Sequence, residues 1–385
     1  MRLCLVSETW SPDINGVAHT LGHLSRELRH RQVELLLVRP RPENDTKAPG
    51  VDAELQVRGF HLPRYSAVQF GYPSTSALIT FCHEQRPDVI YIATEGPLGW
   101  SALKVAKQLS IPVVSGFHTN FDHYMGDYGL GWLKGPVRRA LRHFHNRTHA
   151  TLVPTLAQSE AMAKQGFDNV QVMGRGIDGD HFTPAKREQA LRKSWGASEH
   201  QPVVLHVGRL AKEKNLDLLV DTLLVMHLAR PDMVSVVVGD GPLRASLQRR
   251  LPNTHFTGFI DNDTLARHYA SADMFLFPSC SETYGNVVAE AMASGLGVVA
   301  FKHAAAAELI ESNRHGITVP LGDDAAFIVS AVTLCQSPAQ YGQLGRSARL
   351  RATSRRWEKV ADGFLDVLNA AQESQHESVT NACRL

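Results

Sequence analysis

The sequence has few cysteines and no long apolar run, and these two absences exclude whole classes of protein. Five cysteines occur in 385 residues, with no Cys-x-x-Cys spacing of the kind that forms disulfide frameworks or structural zinc sites. No apolar stretch reaches the ~20 residues that cross a bilayer, and the first residues lack the long hydrophobic segment of a signal peptide. We therefore expect a cytoplasmic protein without a structural metal.

Neither sign of charge is in excess. Forty lysines and arginines face 38 aspartates and glutamates, so the formal net charge is +2. A chain with so little net charge has no global field that would attract it to nucleic acid. We expect no nucleic-acid partner, and any electrostatic partner must be recognised by a local cluster of charges.

Short apolar runs alternate with segments of helical period along the chain, which is typical of βα units in a parallel sheet. One series starts at residues 3–6 and a second restarts at residues 203–207. At roughly 150 residues per domain, the two series predict two doubly wound, Rossmann-like α/β domains. Because ligands of such sheets bind beyond the carboxyl ends of the strands, we expect the domains to face a central cleft.

Pro184 and the polar stretch after it mark the expected domain boundary. We expect an amino-terminal domain over residues 1–183 and a carboxyl-terminal domain over residues 184–355. An amphipathic helix should cover residues 356–372. The tail over residues 373–385 shows no apolar period, and we expect it to be disordered.

Two glutamates flank the start of a predicted helix that follows a strand of the second series. Glu282 lies in the loop before this helix, and Glu290 lies eight residues later inside it. Carboxylates in such a place need hydroxyl or cationic partners, and sugar hydroxyls meet that need. The backbone N–H groups of Gly285, Asn286 and Val287 in the first turn favour an anion such as phosphate. Either glutamate alone is equally compatible with a solvated or ion-paired residue.

A pair of cations follows the strand at residues 203–207, in the segment GRLAKEK. Arg209 offers a planar guanidinium and Lys214 a compact ammonium, and both groups suit a diphosphate. Displacement of a diphosphate from a sugar carbon requires its developing charge to be neutralised. No DxD cluster appears where a metal would be needed, so we expect the two cations to act without a metal or other cofactor. A surface cation pair is the alternative interpretation of either residue alone.

Gly239 lies in the segment GDGP after a third strand. The segment begins like a dinucleotide-binding fingerprint but has Arg244 where the third glycine would stand. We interpret Gly239 as a position where the backbone approaches a nucleotide closely.

Taken together, GRL…K, GDGP and the Glu-x7-Glu element resemble the retaining, nucleotide-sugar-dependent glycosyltransferases of family 4, which have the GT-B fold. The resemblance covers roughly residues 2–370. It implies that Glu282 contacts the donor sugar and Glu290 the ribose, while Arg209 and Lys214 hold the diphosphate. It also implies a front-face displacement in which the departing phosphate oxygen accepts the proton of the acceptor.

The same resemblance gives roles to further positions. Backbone around Phe259 would hold the base, and His118 would lie beside the transferred sugar as a catalytic residue. Asn15 and Gly16 stand where the family usually has two glycines, and their backbone would contact the donor diphosphate. The resemblance further implies that the domain over residues 1–183 binds the acceptor and that the domain over residues 184–355 binds the nucleotide sugar. The last helix would cross back to the first domain.

Two positions depart from the family pattern. The usual glycine pair of the last βα loop is replaced by alanines over residues 304–307, ahead of Glu308. The usual proline after the Glu-x7-Glu helix is replaced by Gly297. The first departure argues against a backbone phosphate contact in that loop.

The segments GFHTNFDHY, TEGPLG and GRGID are most similar to a branch of bacterial GDP-mannose-dependent α-mannosyltransferases and sulfoquinovosyl diacylglycerol synthases. This resemblance implies transfer of a hexose, with GDP-mannose as the first choice of donor, to a lipid-linked or saccharide acceptor. A diacylglycerol glycosyltransferase that uses UDP-glucose or another UDP-hexose is the alternative. Asp122 and His123 would line the acceptor pocket.

A basic amphipathic segment supports a lipid acceptor. Its cations recur at helical spacing and no acid interrupts them; they are Lys134, Arg138, Arg139 and Arg142. Each cation near an anionic lipid surface contributes ~1 kcal/mol, so one interpretation of the segment is peripheral binding to the inner face of the membrane. A core-packed helix with a solvated basic edge is the alternative.

Two other function classes share these features. A nucleotide-sugar epimerase with the same two-domain architecture would convert its donor without an acceptor. A non-catalytic sugar-nucleotide binding protein would bind the donor and release no nucleotide. The joint GRL…K and Glu-x7-Glu pattern favours a transferase over both.

Overall fold

The computed structural model describes residues 1–11, 15–42, 46–62, 65–118 and 134–382. Its contacts divide the chain into two compact units. The first consists of Met1–Arg175 and Trp357–Leu385, and the second of Gly176–Arg356.

A seven-stranded sheet forms the centre of the first unit. The strands of this unit are β1 (Arg2–Val6), β2 (Glu34–Pro40), β3 (Ala53–Val57), β4 (Gly59–Leu62), β5 (Tyr65–Gly71), β6 (Val89–Ile92), β7 (Val113–Gly116), β8 (Ala150–Val153) and β9 (Val170–Val172). Its order is β3-β2-β1-β6-β7-β8-β9, and neighbouring strands pair in parallel. Strands β4 and β5 form a separate antiparallel hairpin.

Helices cover both faces of this sheet. Those from the first part of the chain are α1 (Gly16–His30), α2 (Thr75–Gln85), α3 (Pro97–Leu109), α4 (Lys134–His145) and α5 (Leu156–Lys164). Alternate residues of β1 belong to two different cores. Leu3 and Leu5 pack with α1, whereas Cys4 and Val6 pack with α2 and α3. The strand reads as a continuous apolar run because neither face meets water.

The second unit repeats the design with six strands. They are β10 (Val203–Val207), β11 (Val234–Val238), β12 (His255–Gly258), β13 (Met274–Phe277), β14 (Gly297–Phe301) and β15 (Ile317–Val319). The order is β12-β11-β10-β13-β14-β15, again parallel. The helices are α6 (Gln189–Ser194), α7 (Leu216–Ala229), α8 (Arg244–Arg250), α9 (Asn262–Ser271), α10 (Asn286–Ala293), α11 (Ala304–Leu309), α12 (Asp324–Cys335) and α13 (Pro338–Thr353), with short 3₁₀ helices at Pro184–Lys186 and Lys212–Lys214. The predicted pair of Rossmann-like α/β domains is confirmed.

The last helix, α14 (Trp357–Ala382), belongs to the first unit. Phe364 and Leu368 are fully buried in the core that α1 shares with β1, and Phe364 meets the ring of Tyr91 at a centroid distance of 4.9 Å. The helix continues past residue 372, whereas we expected disorder from residue 373. In the structure the helix instead extends to Ala382, and its Gln375 Oε1 lies 3.1 Å from His149 Nε2.

In each sheet the strand order reverses next to the first strand of the unit. In the second unit this switch lies between β10 and β13, so the loops that follow these two strands are neighbours. No described helix is both long and apolar enough to span a bilayer.

Candidate active site

The loops after β10 and β13 bring two of the predicted site residues into contact. The Lys214 ammonium donates a hydrogen bond to Glu282 Oε1, and the Ser279 hydroxyl donates to the same oxygen at 2.7 Å. Both charged side chains are mostly buried, with exposed fractions of 20% for Lys214 and 13% for Glu282. The two motifs that the sequence separates by 68 positions therefore form one charged site.

Arg209 lies more openly in the same loop. Its guanidinium approaches Glu213 at 3.6 Å, and 45% of the side chain is exposed. The Ser281 hydroxyl donates to the Glu213 backbone carbonyl at 2.9 Å, which ties the loop after β13 to the loop after β10. A partly exposed guanidinium beside a fixed ammonium can receive an anion with several oxygens.

His206 in β10 was not predicted as part of this site. Its Nδ1–H donates to the Leu276 carbonyl at 3.0 Å, and burial, aided by the Lys214 charge, lowers the pKa of the ring to about 4. The imidazole is therefore neutral at physiological pH. In the sequence, His206 was distinguished only as the one polar residue in the apolar run VVLHV.

Helix α10 begins directly after this charged loop. Gly285 precedes it with a φ of 88°, in the left-handed region that favours glycine. Among the described residues no side chain caps the first turn, and the turn contains no acid. The Val288 N–H donates to the Gly285 carbonyl at 3.1 Å. The N–H groups of Asn286 and Val287 are thus left as donors for an anion.

Glu290 lies in the second turn of α10 and is buried. The hydroxyl of Tyr269, on α9, donates to Glu290 Oε2 at 3.0 Å. Burial raises the pKa of Glu290 to about 7, while the hydrogen bond from Tyr269 acts in the opposite direction. Tyr269 was not predicted as a site residue, because it lies on a different helix 21 positions away.

The conformation and packing of the backbone at Gly239 require glycine. Its φ is 131°, and a Cβ there would lie 1.9 Å from the Gly208 carbonyl oxygen. Packing of this loop against the Arg209 loop therefore demands glycine without any ligand. Nearby, Phe259 is 61% exposed directly after β12.

Asn15 and Gly16 begin α1 in the first unit. The Asn15 side-chain oxygen accepts from Val17 N at 3.1 Å and Ala18 N at 2.9 Å, and its amide donates to Thr9 Oγ1 at 2.6 Å. Asn15 has extended backbone angles, so it replaces glycine as an N-cap and not through an unusual conformation. A diphosphate at this helix start would meet Gly16 N–H first.

His118 is buried at the end of β7 with partners on both ring nitrogens. Arg175 lies 2.7 Å from Nδ1 and the Tyr91 hydroxyl lies 2.8 Å from Nε2. Because a guanidinium only donates, Nδ1 accepts and the ring proton is on Nε2. Burial and the Arg175 charge hold the pKa of His118 well below its usual range. The ring is neutral and engaged within its own unit, and its contact with a sugar stays a prediction.

The basic segment forms α4. Arg138, Arg139 and Arg142 are exposed, while Phe144 is buried against α3. The helix packs into the core and presents its arginines outward, as the alternative interpretation of the segment describes, and membrane binding stays a prediction. Asp122 and His123 lie outside the described residues.

The loop with alanines in place of glycines keeps the backbone of the glycine form. Ala304 has a φ of 48°, in the left-handed region. The Ala305 N–H donates to the Tyr284 carbonyl at 2.8 Å. That amide N–H already donates to the loop after β13, so it is not a donor for a phosphate.

The two Rossmann-like α/β units have the architecture of the GT-B fold. The sucrose-phosphate synthase from Thermosynechococcus elongatus has the same fold, with a TM-score of 0.81 at 18% identity over 97% of this chain and 99% of its own. Two family models match the sequence, "Glycosyltransferase Family 4" at residues 14–181 and "Glycosyl transferases group 1" at residues 201–337.

Curated relatives agree with these matches. The GDP-mannose-dependent α-mannosyltransferase of Mycolicibacterium smegmatis is 32% identical over 95% of this chain and 96% of its own length. The sulfoquinovosyl transferase SQD2 of Arabidopsis thaliana is 30% identical over 89% of this chain and 68% of its own. The chain belongs to glycosyltransferase family 4, and it is an enzyme that transfers a glycosyl group from a nucleotide-sugar donor to an acceptor.

Proposed function

We propose that the protein is a retaining mannosyltransferase that uses GDP-mannose and a lipid-linked or saccharide acceptor. The observation that carries the chemistry is the contact between Lys214 and Glu282 at the switch point of the second sheet. This contact supports a site in which the Lys214 cation serves the leaving group and the adjacent Glu282 carboxylate binds sugar hydroxyls. The choice of mannose and guanine rests on the relatives that use GDP-mannose.

In this proposal the cations hold the donor diphosphate. Lys214 is held by Glu282, and Arg209 in the same loop keeps much of its side chain exposed, so in the proposal both cations bind the pyrophosphoryl group. The N–H groups of Asn286 and Val287 add donors at the start of α10. Glu290 binds the ribose, and backbone near Phe259 holds the base.

The transfer proceeds on one face of the sugar. The bond from the anomeric carbon to the diphosphate oxygen breaks while the acceptor oxygen forms the new glycosidic bond. The departing phosphate oxygen takes the acceptor proton, and the positive charges of Arg209 and Lys214 stabilise the diphosphate that leaves. The proposal requires neither a metal ion nor a protein nucleophile.

A thermal-shift panel tests the donor. A ligand present at 100 times its dissociation constant adds about 2.7 kcal/mol to stability. We expect GDP and GDP-mannose to raise the melting temperature by several degrees, and UDP, UDP-glucose and ADP to raise it less. If UDP-glucose raised the melting temperature more than GDP-mannose did, the donor in the proposal would be a UDP-hexose instead of GDP-mannose.

Product analysis then separates the function classes. With GDP-[¹⁴C]mannose and a lipid or saccharide acceptor, we expect labelled acceptor and one GDP for each sugar transferred. Conversion of the donor in the absence of acceptor would indicate an epimerase. Binding without release of GDP under any acceptor would indicate a binding protein.

A further inference from the structure

Glu290 has a single hydrogen-bonding partner on its side chain. In the second unit, all of whose residues the structure describes, only the Tyr269 hydroxyl reaches the carboxylate, and it donates to Oε2 at 3.0 Å. The exposed fraction of Glu290 is 7%, and Tyr269 is completely buried. A buried carboxylate with one occupied oxygen leaves Oε1 as an acceptor for a ligand.

The position of the Tyr269 hydroxyl is fixed by packing. Its ring meets Phe182 at a centroid distance of 5.8 Å edge to face, and Phe275 of β13 at 5.8 Å in a tilted arrangement. The phenol therefore cannot leave Glu290 without a rearrangement of the core.

We propose that Tyr269 is a positioning residue for the donor ribose: its hydroxyl bonds Oε2 and orients the Glu290 carboxylate, so that Oε1 accepts from the ribose hydroxyls. This inference rests on the proposed function, in which Glu290 binds the ribose. It adds a residue that never touches the donor.

The neighbouring charged groups do not perform this task. On α9, Arg267 donates to Thr264 Oγ1 and His268 lies 2.8 Å from the Thr264 carbonyl. On α13, Arg349 donates to the Ala293 carbonyl, and Glu308 of α11 pairs with Arg355. In the fully described second unit, none of these side chains bonds to Glu290, so Tyr269 is the group that favours its carboxylate.

Removal of the Tyr269 hydroxyl should raise the pKa of Glu290, because burial and this hydrogen bond act on that pKa in opposite directions. Burial raises the pKa of Glu290 to about 7, and the Tyr269 hydroxyl lowers it. Loss of the hydroxyl must therefore raise the pKa further, so that Glu290 is mostly protonated at neutral pH. A protonated carboxyl is a weaker acceptor for ribose hydroxyls than a carboxylate.

The test compares the binding of GDP and 2′,3′-dideoxy-GDP by calorimetry between pH 6 and pH 9. The wild type should bind GDP more tightly, and this preference should decline below about pH 7. In Tyr269→Phe the decline should move upward by about one pH unit or more, because a hydrogen bond to a charged group is worth at least that. At pH 7 the preference should fall about fivefold or more, because a pKa one unit higher leaves about a tenth of the carboxyl groups ionised instead of about half, and toward pH 9 it should return.

Two variants serve as controls. Tyr341→Phe removes a hydroxyl from a half-buried tyrosine on α13 and should behave as the wild type. Glu290→Gln should lose the preference for GDP at every pH. If Glu290→Gln keeps the preference, the ribose assignment in the proposed function is wrong.

Other outcomes would overturn the inference alone. If Glu290→Gln loses the preference but Tyr269→Phe keeps the wild-type pH profile, Tyr269 does not act through Glu290. A preference that is lost in Tyr269→Phe and does not return at pH 9 would show a merely structural role. If Tyr269→Phe does not fold, 3-fluorotyrosine at position 269 replaces it. Its more acidic hydroxyl should shift the decline to lower pH, and an unchanged profile would refute the inference.

Discussion

Lys214 has two anionic partners in the proposed mechanism, one in the protein and one in the donor. In the structure its ammonium bonds to Glu282, and both side chains are largely withdrawn from water. Such a contact fixes the cation before the donor arrives, so little reorganisation is needed when charge develops on the leaving diphosphate. Arg209, more exposed, supplies the charge that can move with the ligand.

Replacement of Lys214 by alanine tests this role. We expect Lys214→Ala to lower kcat by about 10²- to 10³-fold or more, because one donor to a developing anion is worth about that much. The variant should still fold, with a lower melting temperature, because Glu282 loses its ion-pair partner and keeps the hydrogen bond from Ser279. The measurement is steady-state transfer from GDP-mannose.

Lys212 provides the matched control. It lies in the same 3₁₀ helix and is exposed. Lys212→Ala should therefore retain nearly all activity. A Lys214→Ala enzyme with rates close to those of the wild type would exclude Lys214 from the chemistry.

Individual residues also show what sequence reasoning can reach. Lys214, Glu282 and Glu290 were predicted from their motifs, and the first two meet in space as strand-end residues should. The hydrogen bonds that set the protonation of His118 were not predicted. They come from Arg175 and Tyr91, each on a different strand or loop, and pairings of that range leave no local pattern.

At the scale of elements, the strands that the sequence revealed are the central ones. β1, β10 and β13 are buried on both faces and appear as apolar runs. β3, β12 and β15 stand at sheet edges, where one side meets solvent and the residues are mixed. Edge strands and the β4-β5 hairpin therefore escaped prediction.

Helix α4 combines packing with an outward row of cations. Phe144 anchors one side in the core, which leaves Arg138, Arg139 and Arg142 exposed. A helix held in this way presents a fixed positive surface, and an anionic bilayer would attract it more strongly at low ionic strength. We propose that this surface recruits the enzyme to its lipid acceptor.

Liposome co-sedimentation measures this recruitment. We expect the wild type to pellet with anionic vesicles and much less with neutral ones. The triple variant Arg138→Glu, Arg139→Glu, Arg142→Glu should remain in the supernatant. Sedimentation should weaken as salt is raised.

The control carries the same change of charge elsewhere. Lys104, Lys107 and Lys164 are exposed on α3 and α5, and their triple replacement by glutamate should leave pelleting largely intact. Equal pelleting of the wild type and the α4 variant would dismiss the membrane role.

At the scale of the whole molecule, the chain leaves the first unit once and returns once. The two connecting segments meet where Ile177 N–H donates to the Arg355 carbonyl at 2.9 Å. The second unit begins at Gly176, before the expected boundary at Pro184, because Phe182 is buried against Tyr269 in its core. The composition of the sequence indicated a linker near Pro184. The burial of Phe182 shows that the residues just before Pro184 already belong to the second core.

Among the described residues, burial raises the pKa of one glutamate in each unit to about 7: Glu8 in the first unit and Glu290 in the second. Glu8 accepts from the Gly71 and Leu98 N–H groups, yet burial raises its pKa to about 7, as it does for Glu290. Between pH 4.5 and pH 7 the native state retains protons that the unfolded state has lost. Each glutamate therefore makes the free energy of unfolding fall as pH rises through this window, by up to about 3 kcal/mol.

Buried histidines act in the opposite direction. The pKa of His206 is lowered to about 4, so its contribution to stability grows as pH rises toward 6.5. The wild-type curve alone therefore does not isolate the glutamates. The informative quantity is the difference in unfolding free energy between the wild type and a variant, followed from pH 4.5 to pH 8 by denaturant titration.

Glu8→Gln cannot satisfy both backbone donors with its amide and should be less stable than the wild type near pH 4.5. Its deficit should shrink by up to about 3 kcal/mol as pH rises to 8, because only the wild type pays to ionise a buried carboxyl. Glu84→Gln, at an exposed position on α2, should differ from the wild type by a constant amount. A Glu8→Gln deficit that stayed constant with pH would show that Glu8 titrates normally.

The wild type and Glu290→Gln can be compared in the same way in the presence of GDP. The wild type should bind GDP more tightly as pH rises and Glu290 ionises, because GDP and the proton compete for one carboxylate, whereas Glu290→Gln has no carboxyl group to ionise.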